Sequence, residues 1–256
     1  MICFSLNSGS NGNCIYVESQ GVGLLFDAGL SGRRTAERLA ARGRDVRDIQ
    51  AVIVSHDHRD HICCAGVLNR KFDLPIYMTR QTHRAGEACY GLGMISDLRY
   101  FKPGAALTFG PLTVQSVPTP HDGAEPLAFI VSDGYRRLGI LTDLGHVFDD
   151  LKAWMGRLDA VFLESNYDPD MLTSGPYPEP LKRRIAGRSG HLSNVEAAEL
   201  VASAGGDRLQ WVALSHLSEV NNSPETARRT HRRIVGSRRP VYVASRYAAG
   251  DLLRIE

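Results

Sequence analysis

The chain has 256 residues, of which 43% are hydrophobic and 23% are charged, a balance typical of a globular protein that can bury a sizeable core. The formal net charge is only +2, which excludes a strongly basic nucleic-acid-binding module. No stretch approaches the roughly 18 consecutive apolar residues of a membrane span, so no membrane partner is expected.

The N-terminus and the cysteines indicate the compartment. The first residues form a β-rich run and lack the basic start and long apolar stretch of a signal peptide. The five cysteines contain no C-x-x-C pair, which argues against a disulfide framework or a cysteine zinc site. We therefore predict a cytoplasmic protein.

The first half of the chain alternates short apolar runs with amphipathic stretches. The predicted strands are Ile2–Leu6, Cys14–Val17, Gly23–Phe26, Ala51–Val54 and Pro75–Met78. Ser31 is a predicted N-cap for a helix that reaches about Arg42. Two more helices are expected, one that ends near Lys71 and one over Gln81–Tyr90.

The second half begins with hairpin-like strands and returns to the alternation of strand and helix. The predicted strands are Leu107–Phe109, Leu112–Val117, Ala128–Val131, Leu138–Leu141, Ala160–Leu163, Leu209–Leu214 and Val241–Ala244. Helices are expected over Phe148–Met155, after the capping box that starts at Ser193, and from Pro224. Two strand-rich regions flanked by helices predict one domain over 1–256, an α/β fold with the four-layer αββα sandwich architecture.

The segment His56–His61, with the sequence HDHRDH, carries the strongest chemical signal and follows an apolar strand. Burial of so many titratable groups is costly unless a cation compensates them. A divalent ion does so by binding neutral imidazole nitrogens and carboxylate oxygens. His56 and His58 alternate and can face one ion, whereas Asp60 and His61 follow and can face a second.

Three further candidate ligands stand where an apolar strand ends in a loop, namely His121, Asp143 and His216. Any one of them alone could be an ordinary structural residue, but their shared position predicts a common site. A two-ion site needs more ligands than the cluster alone supplies, and these three residues are the candidates. His83 and His231 lie in amphipathic stretches and are predicted to be surface residues.

This combination of motifs resembles the metallo-β-lactamase superfamily over essentially the whole chain. The resemblance implies a dinuclear metal-dependent hydrolase with the αββα fold. It assigns the ligands of the first ion to His56, His58 and His121, those of the second to Asp60, His61 and His216, and the bridge to Asp143. Nitrogen and oxygen ligands together suit either Zn²⁺ or Mn²⁺. Asp27 matches a family aspartate that orients the cluster rather than binding metal.

Three segments narrow the resemblance to the YycJ/WalJ (VicX) group of exonuclease-like hydrolases. They are Ser8–Cys14, Gly190–Asn194 and Leu214–Asn222. This resemblance implies a phosphodiesterase that acts on nucleic acid, with DNA favoured over RNA, and trims a strand from its end.

Two residues outside the ligand set are catalytic candidates. Gly190-His191 before a helix-capping serine is similar to the ribonuclease Z branch of phosphodiesterases, in which a non-ligand histidine paired with a glutamate assists at the scissile phosphate. Glu164 fits the position of that glutamate. His191 precedes a helix N-terminus, where free N–H groups favour an anion. Asp60 is the third catalytic candidate, because it can orient the shared hydroxide as well as bind metal.

Two groups of basic residues are either solvated helix faces or phosphate-binding surfaces. The first comprises Lys182, Arg183, Arg184 and Arg188, and the second Arg228, Arg229, Arg232, Arg233, Arg238 and Arg239. If these basic residues lie far from the metal ligands, the nucleic-acid hypothesis is weakened.

Two other hypotheses remain open from the sequence. One is a small-molecule hydrolase of the same fold, acting on a thioester, a lactone or a small cyclic phosphodiester, because fold and ligands do not fix the substrate. The other is a binding module with a relic site, which is disfavoured because every expected ligand is present. The sequence indicates no obligate protein partner.

Overall fold

The computed structural model describes residues 1–256 and contains two seven-stranded sheets. The first sheet has the order β14-β1-β2-β3-β4-β5-β6. Its strands are β1 Ile2–Asn7, β2 Cys14–Ser19, β3 Val22–Phe26, β4 Ile49–Ile53, β5 Ile76–Met78, β6 Leu98–Tyr100 and β14 Leu253–Arg254. The pairs from β14 to β3 are antiparallel, and the pairs from β3 to β6 are parallel.

The second sheet repeats this plan with the order β13-β12-β11-β10-β9-β8-β7. Its strands are β7 Ala106–Phe109, β8 Leu112–Pro118, β9 Leu127–Ser132, β10 Arg137–Leu141, β11 Ala160–Glu164, β12 Trp211–Ser215 and β13 Val241–Val243. The pairs from β7 to β10 are antiparallel and those from β10 to β13 are parallel. In each sheet, the carboxyl ends of the parallel strands share one edge.

Nine helices and a single 3₁₀ turn, Val46–Asp48, complete the chain. The helices are α1 Gly32–Ala40, α2 Arg59–Ile62, α3 Ala65–Phe72, α4 Arg80–Tyr90, α5 Asp149–Met155, α6 Pro169–Ser174, α7 Glu179–Ile185, α8 Asn194–Ala204 and α9 Pro224–Val235. No helix combines the length and the apolar character needed to cross a membrane.

The two sheets pack face to face, and helices cover both outer faces. Between the sheets lies a cluster of 24 buried residues in which the rings of Phe26 and Phe129 are 5.3 Å apart. A second cluster places Leu39 of α1 against the first sheet, and a third places Leu200 of α8 against the second. The α/β class and the four-layer αββα architecture predicted from the sequence are confirmed.

Local sequence explains where several helices begin. Ser31 accepts a hydrogen bond from the backbone N–H of Arg34 at the start of α1. The capping box at Ser193 and Glu196 is formed as predicted. Pro224 occupies the first turn of α9, where its missing N–H leaves no bond unmade.

The structure differs from the sequence predictions in three places. The helix expected to end near Lys71 is broken into α2 and α3, because the backbone N–H of Cys64 donates to the carbonyl of Ala28 instead of continuing α2. Strands β6 and β14 and helices α6 and α7 had no predicted counterpart. His231 was predicted at the surface but is 1% exposed, so that prediction is wrong.

Candidate metal and phosphodiester site

The structure brings all seven predicted ligands to one rim of the sandwich. The cluster His56–His61 follows β4 in the first sheet, whereas the other three ligands follow strands of the second sheet. Those three are His121 after β8, Asp143 after β10 and His216 after β12. The rim is therefore where the carboxyl ends of strands from both sheets meet.

His56, His58 and His121 form the first group, with nitrogens within 4.8 Å of one another. His58 Nδ1 lies 3.0 Å from His56 Nε2 and 3.3 Å from His121 Nε2. Burial and the neighbouring imidazoles lower the pKa of His56 well below its ordinary value and also lower the pKa of His58. Neutral rings that turn their nitrogens towards one point are suited to a cation.

Asp60, His61 and His216 form the second group, also within 4.8 Å. Asp60 Oδ2 lies 3.3 Å from His216 Nε2 and 3.4 Å from His61 Nε2. Two imidazoles and a carboxylate make a donor set that a borderline divalent ion accepts.

Asp143 lies between the two groups, and its surroundings show whether the two groups suit metal ions. Its Oδ2 is 3.3 Å from His61 Nε2, and its Oδ1 is 3.6 Å from His121 Nε2. Burial alone would raise the pKa of Asp143, but His216 and the other imidazoles lower it, so the carboxylate is charged. Its Oδ2 is buried and has no hydrogen-bond partner. Such an orphaned oxygen is costly. Burial lowers the pKa of His61, but Asp27 and the other carboxylates outweigh it and raise that pKa well above its ordinary value, so without a metal ion the proton of His61 offsets part of the charge. A divalent ion at this point would replace that proton.

Three site residues adopt left-handed backbone conformations at strand ends. The φ angles are +68° for Asp27, +57° for Asp143 and +57° for His216. This region is uncommon for residues other than glycine and is often occupied at functional sites. At each of these positions the chain leaves the strand, and the side chain faces the rim.

Residues behind the ligands fix their orientation. Asp27 accepts the backbone N–H of Ser55 at 2.8 Å, and its other oxygen is 2.7 Å from His61 Nδ1. Ser55 Oγ lies 2.9 Å from His56 Nδ1, and Asn13 donates to Asp60 Oδ2 at 2.8 Å. Such partners orient ligands and tune them. Sequence reasoning missed Ser55 and Asn13, although Asn13 lies in the noted segment Ser8–Cys14.

His191 and Glu164 are paired, as the sequence resemblance implied. His191 Nδ1 is 2.7 Å from Glu164 Oε1, and the His191 side chain is 20% exposed in the cleft. Glu164 is fully buried and also accepts the backbone N–H groups of Leu144 and Leu192, both at 3.1 Å. Glu164 therefore reaches no substrate, and it can act only by positioning His191 and the backbone around Asp143.

A polar cleft of about 240 Å³ opens over these groups. Among the residues that line it, sequence reasoning had not assigned Ser10, Arg59 and Asp122 to the site. Asp122 Oδ1 is 3.4 Å from His121 Nε2, and its Oδ2 accepts Arg184 Nε at 2.6 Å. The position of Asp122 directly after His121 was the available signal.

The two groups of basic residues separate in space. Arg184 of the first group lines the cleft, and Arg188 lies beside it with its carbonyl 2.8 Å from His146 Nδ1. No residue of the second group, on and after α9, lines the cleft. The nucleic-acid hypothesis therefore keeps support from the first group only.

Comparisons with known proteins agree with this geometry. Residues 23–212 match the family model described as a beta-lactamase superfamily domain. The chain is 39% identical to exodeoxyribonuclease YycJ of Bacillus anthracis over 87% of its own length and 84% of that protein. It is 37% identical to exodeoxyribonuclease WalJ of Streptococcus pneumoniae over 88% and 84%.

A solved structure shows the same fold. The metallo-beta-lactamase fold protein YhfI from Bacillus subtilis aligns with a TM-score of 0.74 at 19% identity, over 97% of this chain and 98% of that one. At this identity the likeness concerns the arrangement of strands and helices.

Proposed function

This chain belongs to the beta-lactamase superfamily, within the group that contains YycJ and WalJ, and on that basis we propose that it is a two-metal exonuclease that acts on DNA. It is a metal-dependent hydrolase of the metallo-β-lactamase type. The observation that carries the proposal is the orphaned, buried oxygen of Asp143 between two groups of ligands. A phosphodiester needs charge neutralised on both its entering and its leaving oxygen, which two adjacent cations achieve.

We propose that each group of three holds one ion and that Asp143 contacts both. The first set is His56, His58 and His121, and the second is Asp60, His61 and His216. The donors suit Zn²⁺ and Mn²⁺ alike. Two such ions, when bound, supply an activated water and polarise the phosphate.

The other steps belong to the side chains that face the cleft. Asp60 is 19% exposed there, so its carboxylate can accept a hydrogen bond from the attacking water and orient it. Arg59 and Arg184 line the same cleft and can pair with phosphate oxygens. Glu164 accepts a hydrogen bond from His191 Nδ1. When the imidazole is protonated at both nitrogens, its Nε2–H can pass a proton to the leaving oxygen and the ring becomes neutral.

The proposal that the substrate is DNA and that it is cut from an end rests on the relatives. YycJ and WalJ are named exodeoxyribonucleases and are 39% and 37% identical to this chain over the aligned residues. Direct evidence requires purified protein with Mn²⁺ or Zn²⁺ and end-labelled single-stranded DNA, double-stranded DNA and RNA. We expect successive release of mononucleotides from DNA.

Matched variants make this assay specific. Asp60→Ala should abolish turnover, whereas Asp150→Ala, at an exposed position of α5, should leave it unchanged. No cleavage of any nucleic acid with metal demonstrably bound would contradict the proposal. Turnover of a thioester or lactone in its place would support the small-molecule alternative.

We further propose that residues 1–256 form one domain. The support is the pairing of the last strand, β14, with the first, at Ile2 with Arg254 and Cys3 with Leu253. The cytoplasmic location and the lack of an obligate protein partner stay predictions from the sequence.

A further inference from the structure

A second groove lies on the same edge of the first sheet as the metal ligands. Strands β3 to β6 are parallel, so their carboxyl ends lie side by side at this edge. The end of β4 leads into the cluster His56–His61, the end of β5 into α4, and the end of β6 into Phe101 and Lys102. A groove of about 680 Å³ is lined by residues of the last two of these connections.

The groove is positively charged, and its cations have no carboxylate partner. Arg80, Arg84 and Lys102 line it together with one acidic residue, Glu125. All three basic side chains are exposed, and none makes an ion pair or a side-chain hydrogen bond, although Arg33, Arg44 and Arg99 elsewhere on the surface do. Exposed cations without carboxylate partners are available to phosphate oxygens.

An aromatic ring stands among these cations. Tyr100 is 41% exposed and lines the groove. The guanidinium of Arg80 lies 4.4 Å from its ring centroid, and its hydroxyl oxygen is 2.9 Å from His83 Nδ1. These two contacts hold the ring in place. A fixed, partly exposed aromatic ring beside cations is the combination that binds a single nucleic-acid strand, because the ring stacks on a base while the cations follow the backbone.

One short loop separates this groove from the metal cleft. In this loop, the carbonyl of Ala124 accepts a hydrogen bond from the Thr82 hydroxyl of α4 at 2.9 Å. The backbone N–H of Ala124 donates to Asp57 Oδ1, within the histidine cluster, at 2.7 Å. Asp122 at one end of the loop lines the cleft, and Glu125 at the other end lines the groove. A strand that passes over this loop therefore meets both sites.

We propose that the groove of Arg80, Arg84, Lys102 and Tyr100 binds the single-stranded part of a DNA substrate beyond the nucleotide being removed. This inference rests on the proposed function and adds to it the path of the strand. It also explains how a cleft of about 240 Å³ can serve a polymer, because most of the polymer binds elsewhere.

The test is binding of a single strand that resists cleavage. The probe is a labelled phosphorothioate DNA of about 20 nucleotides, longer than the footprint usual for one small binding fold, followed by fluorescence anisotropy with Mn²⁺ present. The variant Arg80→Gln, Arg84→Gln, Lys102→Gln removes the three groove charges. The matched control Arg229→Gln, Arg232→Gln, Arg233→Gln removes three exposed charges from α9.

We expect the groove variant to bind the DNA about tenfold more weakly. The slope of log affinity against log salt concentration should become less steep by the equivalent of about two phosphate contacts, at roughly 0.7 per contact for a single strand. The control should bind like the wild type. Both variants should hydrolyse bis(p-nitrophenyl) phosphate at the wild-type rate, because that small ester needs only the cleft. Tyr100→Ala should weaken binding without a change in the salt dependence.

Two outcomes would overturn the groove assignment: wild-type affinity and salt dependence in the groove variant, or an equal loss in the α9 control. The binding result is independent of turnover. If binding depends on the groove but the protein cuts no DNA, the groove assignment is supported and the exonuclease proposal is contradicted. If the protein cuts DNA but binding does not depend on the groove, the exonuclease proposal is supported and the groove assignment is contradicted.

Discussion

Replacement of Glu164 by glutamine tests whether this buried carboxylate organises the site. One oxygen faces the backbone N–H groups of Leu144 and Leu192, and the other faces the N–H of Asp143 and the ring of His191. A glutamine amide has one acceptor and one donor end. Whichever way it turns, its NH₂ group confronts hydrogen-bond donors that the carboxylate had accepted.

The magnitude follows from the number of donors left without an acceptor. If the amide NH₂ faces His191 and that ring changes tautomer to accept it, only the backbone N–H of Asp143 loses its acceptor. One such loss costs about 1–3 kcal/mol, so Glu164→Gln should lower the free energy of unfolding by about 2 kcal/mol. Urea unfolding of the metal-free protein measures this. Glu199→Gln, exposed on α8, is the matched control and should change it little. A loss below about 1 kcal/mol for Glu164→Gln would refute the reasoning.

The same variant should also affect turnover. Without the carboxylate at Nδ1, His191 is free to rotate or change tautomer, and the rate constant kcat on DNA should fall about 100-fold. Glu164 lies within 4.8 Å of Asp143, His191 and His216, but its oxygens accept hydrogen bonds from the backbone N–H groups of Leu144 and Leu192 and from His191. Metal content should therefore be retained. Loss of metal in this variant would assign Glu164 to ion binding instead.

The remaining predictions concern stability and metal affinity. Burial, with a smaller contribution from Arg239, lowers the pKa of His231 from 6.5 to about 4. As the pH falls, the unfolded chain therefore binds a proton at this histidine before the folded chain does. Up to about 3 kcal/mol of stability should be lost between pH 6.5 and pH 4. His231→Leu should remove this loss, and unchanged pH dependence in urea titrations would contradict it. Asn13→Ala removes the donor to Asp60 and should weaken metal binding about tenfold to 100-fold, measured by competition with a chelating dye, whereas Asn11→Ala, at an exposed position, should not. EDTA should abolish hydrolysis and lower the melting temperature, because ions bound only by the folded state stabilise it; a melting temperature insensitive to EDTA and to added Mn²⁺ would argue against a resident metal.

Much of the fold could be predicted from the sequence because its strands are apolar and bounded by turn residues. Three of the elements that escaped prediction have weak local signals; the fourth, α6, has an Asp168 N-cap and Pro169 in its first turn, and this signal was overlooked. Strand β6 has three residues, two of them exposed, and helix α7 buries none of its residues. The C-terminal strand β14 has two residues and exists because it pairs with β1. Long-range pairing of this kind leaves no local pattern.

The ligand positions could be proposed because imidazoles and carboxylates after apolar strands are conspicuous. The residues that hold them are less so. Ser55 and Asn13 are common polar residues, and only the folded chain shows that they contact His56 and Asp60. His231 differs in that the sequence pattern was misleading. The amphipathic helix predicted an exposed side chain, but His231 is buried where α9 packs on α8.

The left-handed conformations of Asp27, Asp143 and His216 carry a consequence for protein engineering. Each such backbone costs of the order of 1–3 kcal/mol, and glycine would adopt the same angles freely. At Asp143, whose buried oxygen has no hydrogen-bond partner, a screen for thermostable variants of the metal-free protein would therefore select glycine and recover inactive proteins. At Asp27 the loss of the hydrogen bonds to Ser55 and His61 would offset the gain. Activity and stability pull in opposite directions here, so selection for one should always be accompanied by measurement of the other.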